Sequence, residues 1–193
     1  MKILFLLCII TAVFAKDIVG SLYKENEFFE KGKKYYQQRN YSMAFEYFSK
    51  ASDMGNQKAY YNLGVLYGNK YFNKKDYAKS YEIFYELAQK GYAPAQNKVG
   101  MYLTLGLSVE KDYKEAVKWY EKASKQNFIT AQCNLAFMYA SGKGVFPNLG
   151  RAHVFAKTGY EQGNPICVKA WNDFHLEKYA EDKGFKFNFY TKP

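Results

Sequence analysis

Residues 57–92 read "QKAYYNLGVLYGNKYFNKKDYAKSYEIFYELAQKGY", and two further blocks of 36 residues follow them without a gap. These blocks are "APAQNKVGMYLTLGLSVEKDYKEAVKWYEKASKQNF" at 93–128 and "ITAQCNLAFMYASGKGVFPNLGRAHVFAKTGYEQGN" at 129–164. Equivalent positions hold small or apolar residues in all three copies. They include Ala59, Ala95 and Ala131; Leu63, Val99 and Leu135; Gly64, Gly100 and Ala136. Three copies in phase predict a repeat architecture.

Each block has the pattern of a helix, a turn and a second helix. In the first block, apolar and small residues recur at steps of three and four around 58–69 and again around 77–90, which is the helical period. A Gly- or Asn-containing stretch separates the two runs, and Gly91, Asn127 or Gly163 ends the second run. One such hairpin cannot bury its apolar face, whereas stacked copies share a continuous core. An all-α stack of hairpins is expected.

Two flanking pieces extend the array. Residues 23–56 carry the same order of small and aromatic residues with a shorter loop between the helices, and 165–184 open a fifth unit with Pro165 at the helix entry. The fifth unit stops after one helix, as a terminal cap does. The tail 185–193 alternates Phe with polar residues. It could add an extended segment to a partner or cover the open end of the stack, and the second interpretation is favoured.

The motifs resemble a known repeat family. "AQCNLAFMYASGKGVFPN" (131–148) and "DYKEAVKWYEKA" (112–123) are similar to the two halves of the Sel1-like repeat, a relative of the tetratricopeptide repeat. Unit 23–56 is closer to a plain tetratricopeptide repeat. The resemblance implies a right-handed α-solenoid with one tetratricopeptide-like unit, three Sel1-like units and a capping helix. It also implies a scaffold or adaptor that binds other proteins.

The first fifteen residues, "MKILFLLCIITAVFA", have the form of a secretory signal peptide with cleavage after Ala15. The apolar run is too short to span a bilayer. We therefore expect an exported repeat domain over 16–193, periplasmic or secreted, with no transmembrane anchor after cleavage. Cys8 would be discarded with the leader.

The charge of the chain favours acidic partners. Its formal net charge is +10, but only Arg39 and Arg151 among the 28 basic residues are arginines. Nucleic acid is therefore disfavoured, because phosphate and base recognition relies on the bidentate guanidinium. Anionic lipid heads, envelope polymers or acidic peptides remain as partners. Since the lysines are scattered along helices, solvated helix faces are the favoured interpretation of most of them.

The tripeptide "KTG" at 157–159 raises the possibility of an enzyme, because penicillin-binding enzymes and serine β-lactamases carry it on an active-site strand. The companion Ser-x-x-Lys occurs as "SLYK" from Ser21 and "SVEK" from Ser108, but the Ser-x-Asn element is absent. The repeat alignment places 157–159 late in a second helix. A coincidental match is favoured, and no catalytic residue is assigned.

The resemblance offers a second route to a hydrolase. An exported, cysteine-rich branch of Sel1-like proteins pairs the two helices of each repeat through disulfides, and its members are often described as β-lactamase-like. In this chain the corresponding positions hold Tyr60, Gln96 and Gln132, and Ser52, Ala88, Ser124 and Tyr160. The disulfide framework of that branch is missing. A β-lactam- or peptidoglycan-active hydrolase therefore stays only as the alternative function.

The remaining cysteines and histidines predict no metal site or cofactor. Cys133 and Cys167 lie on the first helices of neighbouring units, where a disulfide is conceivable. The favoured interpretation is that Cys167 is a small buried residue, because it occupies the column of Ala59, Ala95 and Ala131. His153 and His175 stand in aromatic or apolar columns and are expected to pack. Without a Cys-x-x-Cys or His-x-x-x-His pair, zinc is not expected.

A binding groove is expected on the first helices, which line the concave side in the family. Residues on the face away from the packed Ala, Leu and Gly columns are predicted to line it. They are Phe29, Lys33, Tyr61, Val65, Asn97, Met101, Cys133 and Phe137. An apolar row beside Tyr and Asn suits an extended or helical peptide. The alternative is that loops or neighbouring side chains cover the row, and an error of one residue in helix phase would redirect it.

Overall fold

A computed structural model describes residues 20, 22–182 and 184, and within them every regular element is a helix. The first helix, α1, covers residues 22–37. The others are α2 Tyr41–Asp53, α3 Gln57–Tyr67, α4 Tyr77–Gln89, α5 Ala93–Leu105, α6 Tyr113–Ser124, α7 Ile129–Ser141, α8 Leu149–Glu161, α9 Pro165–Asp173 and a 3₁₀ turn Leu176–Lys178. The predicted all-α fold of helix-turn-helix units is confirmed. The expected signal peptide 1–15 and the tail 185–193 lie outside the described residues.

The chain divides into two compact units, Met1–Ile83 and Phe84–Pro193, with the boundary inside α4. The first unit contains α1, α2, α3 and the start of α4. The second contains the rest of α4, α5 to α9 and the 3₁₀ turn. Both units consist of helix hairpins of the same kind, and each has its own internal contacts.

The second helix of each repeat is preceded by a polar residue at an equivalent position. Asp76, Asp112 and Asn148 occupy equivalent positions, and each side-chain oxygen accepts the backbone N–H three residues later, at 3.1, 2.9 and 2.9 Å. This bond satisfies one of the free N–H groups that every helix leaves at its N-terminus. The repeated Asp or Asn is therefore an N-cap that fixes where α4, α6 and α8 begin.

A glycine column lets the two helices of a hairpin approach closely. A Cβ built on Gly32 would lie 2.5 Å from the Phe48 ring in the first unit. A Cβ on Gly100 would lie 2.7 Å from the Tyr120 ring in the second unit. Real Cβ atoms do not come so near other heavy atoms, so the aromatic ring of the second helix occupies the space that a larger residue would need. The glycines are required by packing.

In the first unit, the core forms where the small faces of α2 and α3 meet. Ala44, Phe48 and Ala51 of α2 are at most 1% exposed, and Leu66 of α3 is fully buried. The buried Ser80 hydroxyl donates a hydrogen bond to the Gly64 carbonyl oxygen at 2.6 Å. This bond joins the start of α4 to α3 within the same unit.

In the second unit, α5, α7 and α9 are the first helices of their hairpins, and α6 and α8 pack beside them. α7 contacts both α8 and α9. The largest fully buried side chains come from first and second helices alike. They are Phe84, Leu87, Val99, Leu135, Met138 and Phe155. The apolar columns of the sequence thus form one shared core, as stacking requires.

The segment after α9 returns along α8. His153 Nδ1 lies 2.9 Å from the Leu176 carbonyl oxygen, and the Leu176 side chain is fully buried. Further along, the Arg151 guanidinium bonds Asp182 at 2.9 Å. The prediction that His175 packs in an aromatic column is wrong. Its side chain is 65% exposed, because the backbone turns there with a left-handed φ of 52° to enter the 3₁₀ turn.

Candidate functional site

The four predicted groove residues of the first unit are all partly exposed. They lie on α1 and α3 and are Phe29, Lys33, Tyr61 and Val65. Phe29 leans on the buried Phe48 with ring centroids 6.0 Å apart, and the Lys33 ammonium lies 5.3 Å from the Phe29 ring centroid. Lys33 also pairs with Glu30 at 2.8 Å. The sequence pattern did not predict this ion pair, in which the Lys33 ammonium binds a carboxylate of its own helix.

In the second unit, two of the four predicted residues are buried. Cys133 is fully buried and joined to Cys167, and Asn97 is 6% exposed. Its side-chain oxygen accepts a hydrogen bond from Asn134 Nδ2 at 2.8 Å, which links α5 to α7. The prediction that Cys133 lines an accessible groove is therefore wrong. Its column faces the neighbouring first helix instead of solvent.

The accessible polar residues stand one position later in the sequence than the two buried ones. Lys98 and Met101 on α5, and Asn134 and Phe137 on α7, are partly exposed. Each pair is spaced i, i+3, so both members lie on one side of their helix. We call these four residues the α5–α7 surface. The predicted apolar residues Met101 and Phe137 belong to it, while the polar residues beside them differ from those predicted.

The Phe137 ring is covered on part of its surface. The Phe174 ring meets it edge-on with centroids 5.5 Å apart, and the Lys143 ammonium lies 5.5 Å from the Phe137 centroid. The alternative that neighbouring side chains cover the apolar row thus applies in part to Phe137. The ring is held in one position by these contacts, and its remaining face stays accessible.

Lys98 is the unusual charge of this surface. Its ammonium lies 6.0 Å from the Phe84 ring centroid, and burial lowers the pKa of the Lys98 side chain below its usual value. Within the part of the chain that the structure describes, no carboxylate lies within 4.0 Å of it. A carboxylate from a partner would compensate the desolvation that burial imposes.

The second unit contains a disulfide between α7 and α9. Cys133 and Cys167 are bonded with their Cα atoms 4.6 Å apart, and they are separated by 34 positions in the sequence. The favoured interpretation of Cys167 as an unbridged buried filler is wrong. The two first helices approach closely enough at this point for both Cβ atoms to face each other.

A residue on α8 carried the missing signal for this disulfide. Gly159 falls in the column of Leu87 and Ala123. A Cβ on Gly159 would collide with the Sγ atom of Cys167 and lie 2.9 Å from that of Cys133. The glycine leaves the space that the two sulfur atoms fill. A glycine in a column that elsewhere holds Leu and Ala, opposite two cysteines, could have indicated the bridge.

The "KTG" tripeptide lies inside α8, as the repeat alignment predicted. Lys157 forms an ion pair with Glu181 at 2.7 Å, and Gly159 faces the disulfide. Of the companion serines, Ser108 lies in the exposed α5–α6 loop, and Ser21 is outside the described residues. The three residues have helical packing and surface roles here, which differ from those of an active-site strand.

Burial also shifts the pKa of two titratable groups on α6 in the second unit. Burial raises the pKa of Tyr120 to about 12, although the Thr104 hydroxyl lies 3.2 Å from its phenolic oxygen and opposes the rise. Burial also raises the pKa of Glu121. His153 packs on Trp171 with ring centroids 4.7 Å apart. Over residues 22–182, no three His, Cys, Asp or Glu side chains are grouped as a metal site.

The loop between α7 and α8 frames an open concavity of about 440 Å³. Its lining includes Lys114, Gly144 and Phe146, and the Phe146 side chain is 94% exposed. Nothing in the sequence predicts this concavity, because the Gly-rich stretch at 142–148 indicates only a turn between two helices. In the same described part of the chain, no helix is long and apolar enough to cross a membrane.

Comparison with protein families and solved structures agrees with the repeat pattern. A family model described as "Sel1 repeat" matches residues 27–56, 57–92, 93–128 and 129–164. The chain is similar to the crystal structure of a protective antigen of uropathogenic Escherichia coli that displays an SLR fold, with a TM-score of 0.63 and 29% identity. It is also similar to a Sel1 repeat protein from Oxalobacter formigenes, with a TM-score of 0.55 and 28% identity.

The matched lengths are unequal. The similarity covers 74% of this chain but 30% of the Escherichia coli antigen, and 65% of this chain but 51% of the Oxalobacter formigenes protein. The chain therefore spans at most about half of either neighbour. A search of curated protein sequences gave no match.

Proposed function

Since the chain belongs to the Sel1-repeat family, whose members generally mediate protein–protein interactions, we propose that it is a scaffold that binds a peptide segment of a partner protein. The α5–α7 surface is the binding site. One observation carries the assignment. Two neighbouring first helices, joined by the Asn134–Asn97 hydrogen bond, present partly exposed apolar residues beside a partly buried ammonium that has no carboxylate of the described chain within 4.0 Å.

The side chains define the segment that fits. Met101 and the accessible face of Phe137 supply adaptable apolar contact, as hydrophobic helix-in-groove sites do. The Asn134 side-chain oxygen can accept a hydrogen bond from a peptide N–H. Lys98 supplies a positive charge whose desolvation a carboxylate would offset. The partner segment therefore combines apolar residues with Asp or Glu, and the net charge of +10 favours its approach.

The test uses selected ligands of known sequence. Peptides from a randomised library are selected on the purified mature protein, and the binding of the best peptides is measured by fluorescence anisotropy. We expect acidic, apolar peptides whose affinity falls at least tenfold for Met101→Glu and for Lys98→Glu, because each change removes a contact or reverses a charge at the centre of the site. A photo-crosslinking residue at Met101 should capture the same peptides.

The matched control is Lys118→Glu on α6, which makes the same charge change on a residue that is 66% exposed and remote from this surface in the repeat pattern. Peptide affinity should stay within a factor of two. If selected peptides bind the Met101→Glu and Lys98→Glu variants as tightly as the unchanged protein, the α5–α7 surface is not the binding site.

We also propose that the protein works outside the cytoplasm, in the periplasm or after secretion. The form of residues 1–15 and the disulfide between Cys133 and Cys167 support this, because disulfides form and persist in oxidising compartments. Mass spectrometry of the protein from its native cells should find a mature chain that begins with Lys16 and Asp17. It should detect no free thiol. An intact leader on a reduced, cytoplasmic protein would contradict the proposal.

A further inference from the structure

Four exposed lysines surround the loop between α3 and α4 in the first unit. They are Lys70, Lys74, Lys75 and Lys79. Each ammonium lies over an aromatic ring, at 4.8 to 5.2 Å from the centroid. Two of these rings, Phe45 and Tyr67, also contact each other with centroids 5.7 Å apart. Lys74 and Lys79 therefore share one pair of touching rings, although their sequence positions suggested only scattered solvated residues.

Ion pairing separates these four lysines from six others on the helix faces. Those six form ion pairs with a neighbouring Glu or Asp at 2.6 to 2.8 Å. Those paired lysines are Lys31, Lys33, Lys50, Lys90, Lys118 and Lys169. For the four loop lysines, the described chain places no carboxylate within 4.0 Å. Their charge is directed to solvent and is not neutralised by any carboxylate of the described residues.

The repeat alignment shows that the fold does not need these lysines. In the second repeat the same columns hold Gly106, Glu110, Lys111 and Glu115. In the third they hold Gly142, Phe146, Pro147 and Arg151. Since all three hairpins form, the cluster is a property of the first repeat alone. The lysine side chains are therefore available for a role other than packing.

The loop is held in a fixed shape. Phe72 is 3% exposed and packs against Phe45 with centroids 5.5 Å apart. The Asp76 N–H donates to the Tyr67 carbonyl oxygen at 2.8 Å, which closes the loop. Next to the buried Phe72, the Tyr71 side chain is 70% exposed. The charges and the exposed tyrosine are therefore presented without the entropic cost of ordering a mobile loop.

We propose that this loop, with Lys70, Lys74, Lys75, Lys79 and Tyr71, docks the protein on a bilayer surface that carries anionic phospholipid headgroups. Lysine is a point charge on a flexible stem, which suits many mobile phosphates better than one fixed carboxylate pair. Aromatic residues with Lys beside them sit at the headgroup level of membranes. Each lysine near an anionic surface adds attraction, so four act together.

The test is co-sedimentation of the purified mature protein with vesicles. Two kinds of vesicle are compared. One contains phosphatidylcholine with about 30% phosphatidylglycerol, which makes its surface anionic, and the other contains phosphatidylcholine alone. We expect binding only to the anionic vesicles, and binding that weakens as salt rises. Replacing all four loop lysines with Gln should lower the vesicle partition coefficient by more than roughly a hundredfold, because each lysine raises this coefficient about fivefold. Tyr71→Ala should weaken it further.

The control removes the same charge elsewhere. A variant with Lys31, Lys50, Lys90 and Lys118 changed to Gln has the same net charge, and these lysines are ion-paired. It should keep most of the vesicle binding. Equal losses in the two variants would show that net charge alone attracts the protein and would overturn the proposal. Binding of soluble poly-glutamate by the loop lysines without vesicle binding would also overturn it, in favour of an acidic protein partner.

Discussion

Gly159 of α8 faces the sulfur of Cys133 on α7, and a Cβ on Gly159 would lie 2.9 Å from that Sγ atom. The second sulfur of the disulfide, from Cys167 on α9, is closer still. One glycine thus allows α8 to pack against the bridge that joins its two neighbouring helices. The tripeptide that resembled an enzyme motif contains this packing position.

Gly159→Ala should destabilise the protein by about 1 to 3 kcal/mol, because the added methyl collides with buried sulfur and its neighbours must shift. The sign is informative, since Gly→Ala in a helix interior is otherwise stabilising by about 1 kcal/mol. Urea unfolding followed by circular dichroism measures the change. Thr158→Ala, at the exposed position before it, should alter stability by no more than about 0.5 kcal/mol.

The clash can be separated from other effects of the alanine by removing the sulfur atoms. In a Cys133→Ala, Cys167→Ala background, Gly159→Ala should cost less than in the unchanged protein. The difference is the interaction free energy of the double-mutant comparison. An equal cost in both backgrounds would mean that the methyl meets something other than the disulfide.

Replacing both cysteines with alanine should lower the free energy of unfolding by about 3 to 4 kcal/mol, because a cross-link over 34 residues restricts the unfolded chain. Thermal unfolding with and without a reductant measures the loss. The unchanged protein should lose stability in reductant, and the alanine variant should not respond to it. A reductant effect of the same size on both proteins would rule out the bridge as its cause.

Asp112→Ala should destabilise the protein by about 1 kcal/mol, because its side chain accepts the Glu115 N–H at the start of α6. Asp112→Asn should cost much less, since the amide oxygen can replace the carboxylate as acceptor. Urea unfolding compares the two. The control is Glu110→Ala, an exposed change two residues earlier that removes the same charge. A cost for Glu110→Ala equal to that of Asp112→Ala would assign the effect to charge and not to capping.

The ion pair between Arg151 and Asp182 should make stability fall in acid. The hydrogen bond from Arg151 holds the pKa of the Asp182 carboxyl below its usual value, with smaller contributions from the Gly184 N–H and Asn148. A group with a lowered folded-state pKa stabilises the protein above its unfolded pKa of about 3.9 and loses that contribution as the pH falls through the folded value.

The variant Asp182→Asn isolates this effect. It should be less stable than the unchanged protein at pH 7, and the difference should shrink as the pH falls below about 4. Denaturant unfolding at a series of pH values gives the two curves. Asp53→Asn, at an exposed position in the first unit, should show no comparable convergence. If the stability difference between the two proteins stayed constant with pH, the Arg151–Asp182 ion pair would not be its cause.

Local pattern was enough to predict the helices. The period of three and four, the Gly or Asn at the helix ends and the Asp76–Asp112–Asn148 column are all properties of neighbouring residues, and they define where helices start and stop. The helical position of 157–159 followed from the alignment alone. The all-α repeat fold could therefore be predicted without knowledge of tertiary contacts.

The candidate site was predicted less well, because its geometry depends on helix rotation. A turn of 100° per residue separates Asn97 from Lys98, so a small error in phase exchanged a buried residue for an accessible one. The apolar members Met101 and Phe137 were nevertheless on the chosen side. How Phe174 and Lys143 cover part of Phe137 depends on residues distant in sequence.

The sequence by itself determined the period of 36 residues, the order of helices and the small-residue columns, since these arise from local periodicity and from identical packing in every copy. The tertiary structure alone decided that Cys133 and Cys167 bond, and that Lys74 and Lys79 lie on touching aromatic rings. Both depend on distances between helices and on loop closure. Such distances are set when the units pack, and a linear pattern does not contain them.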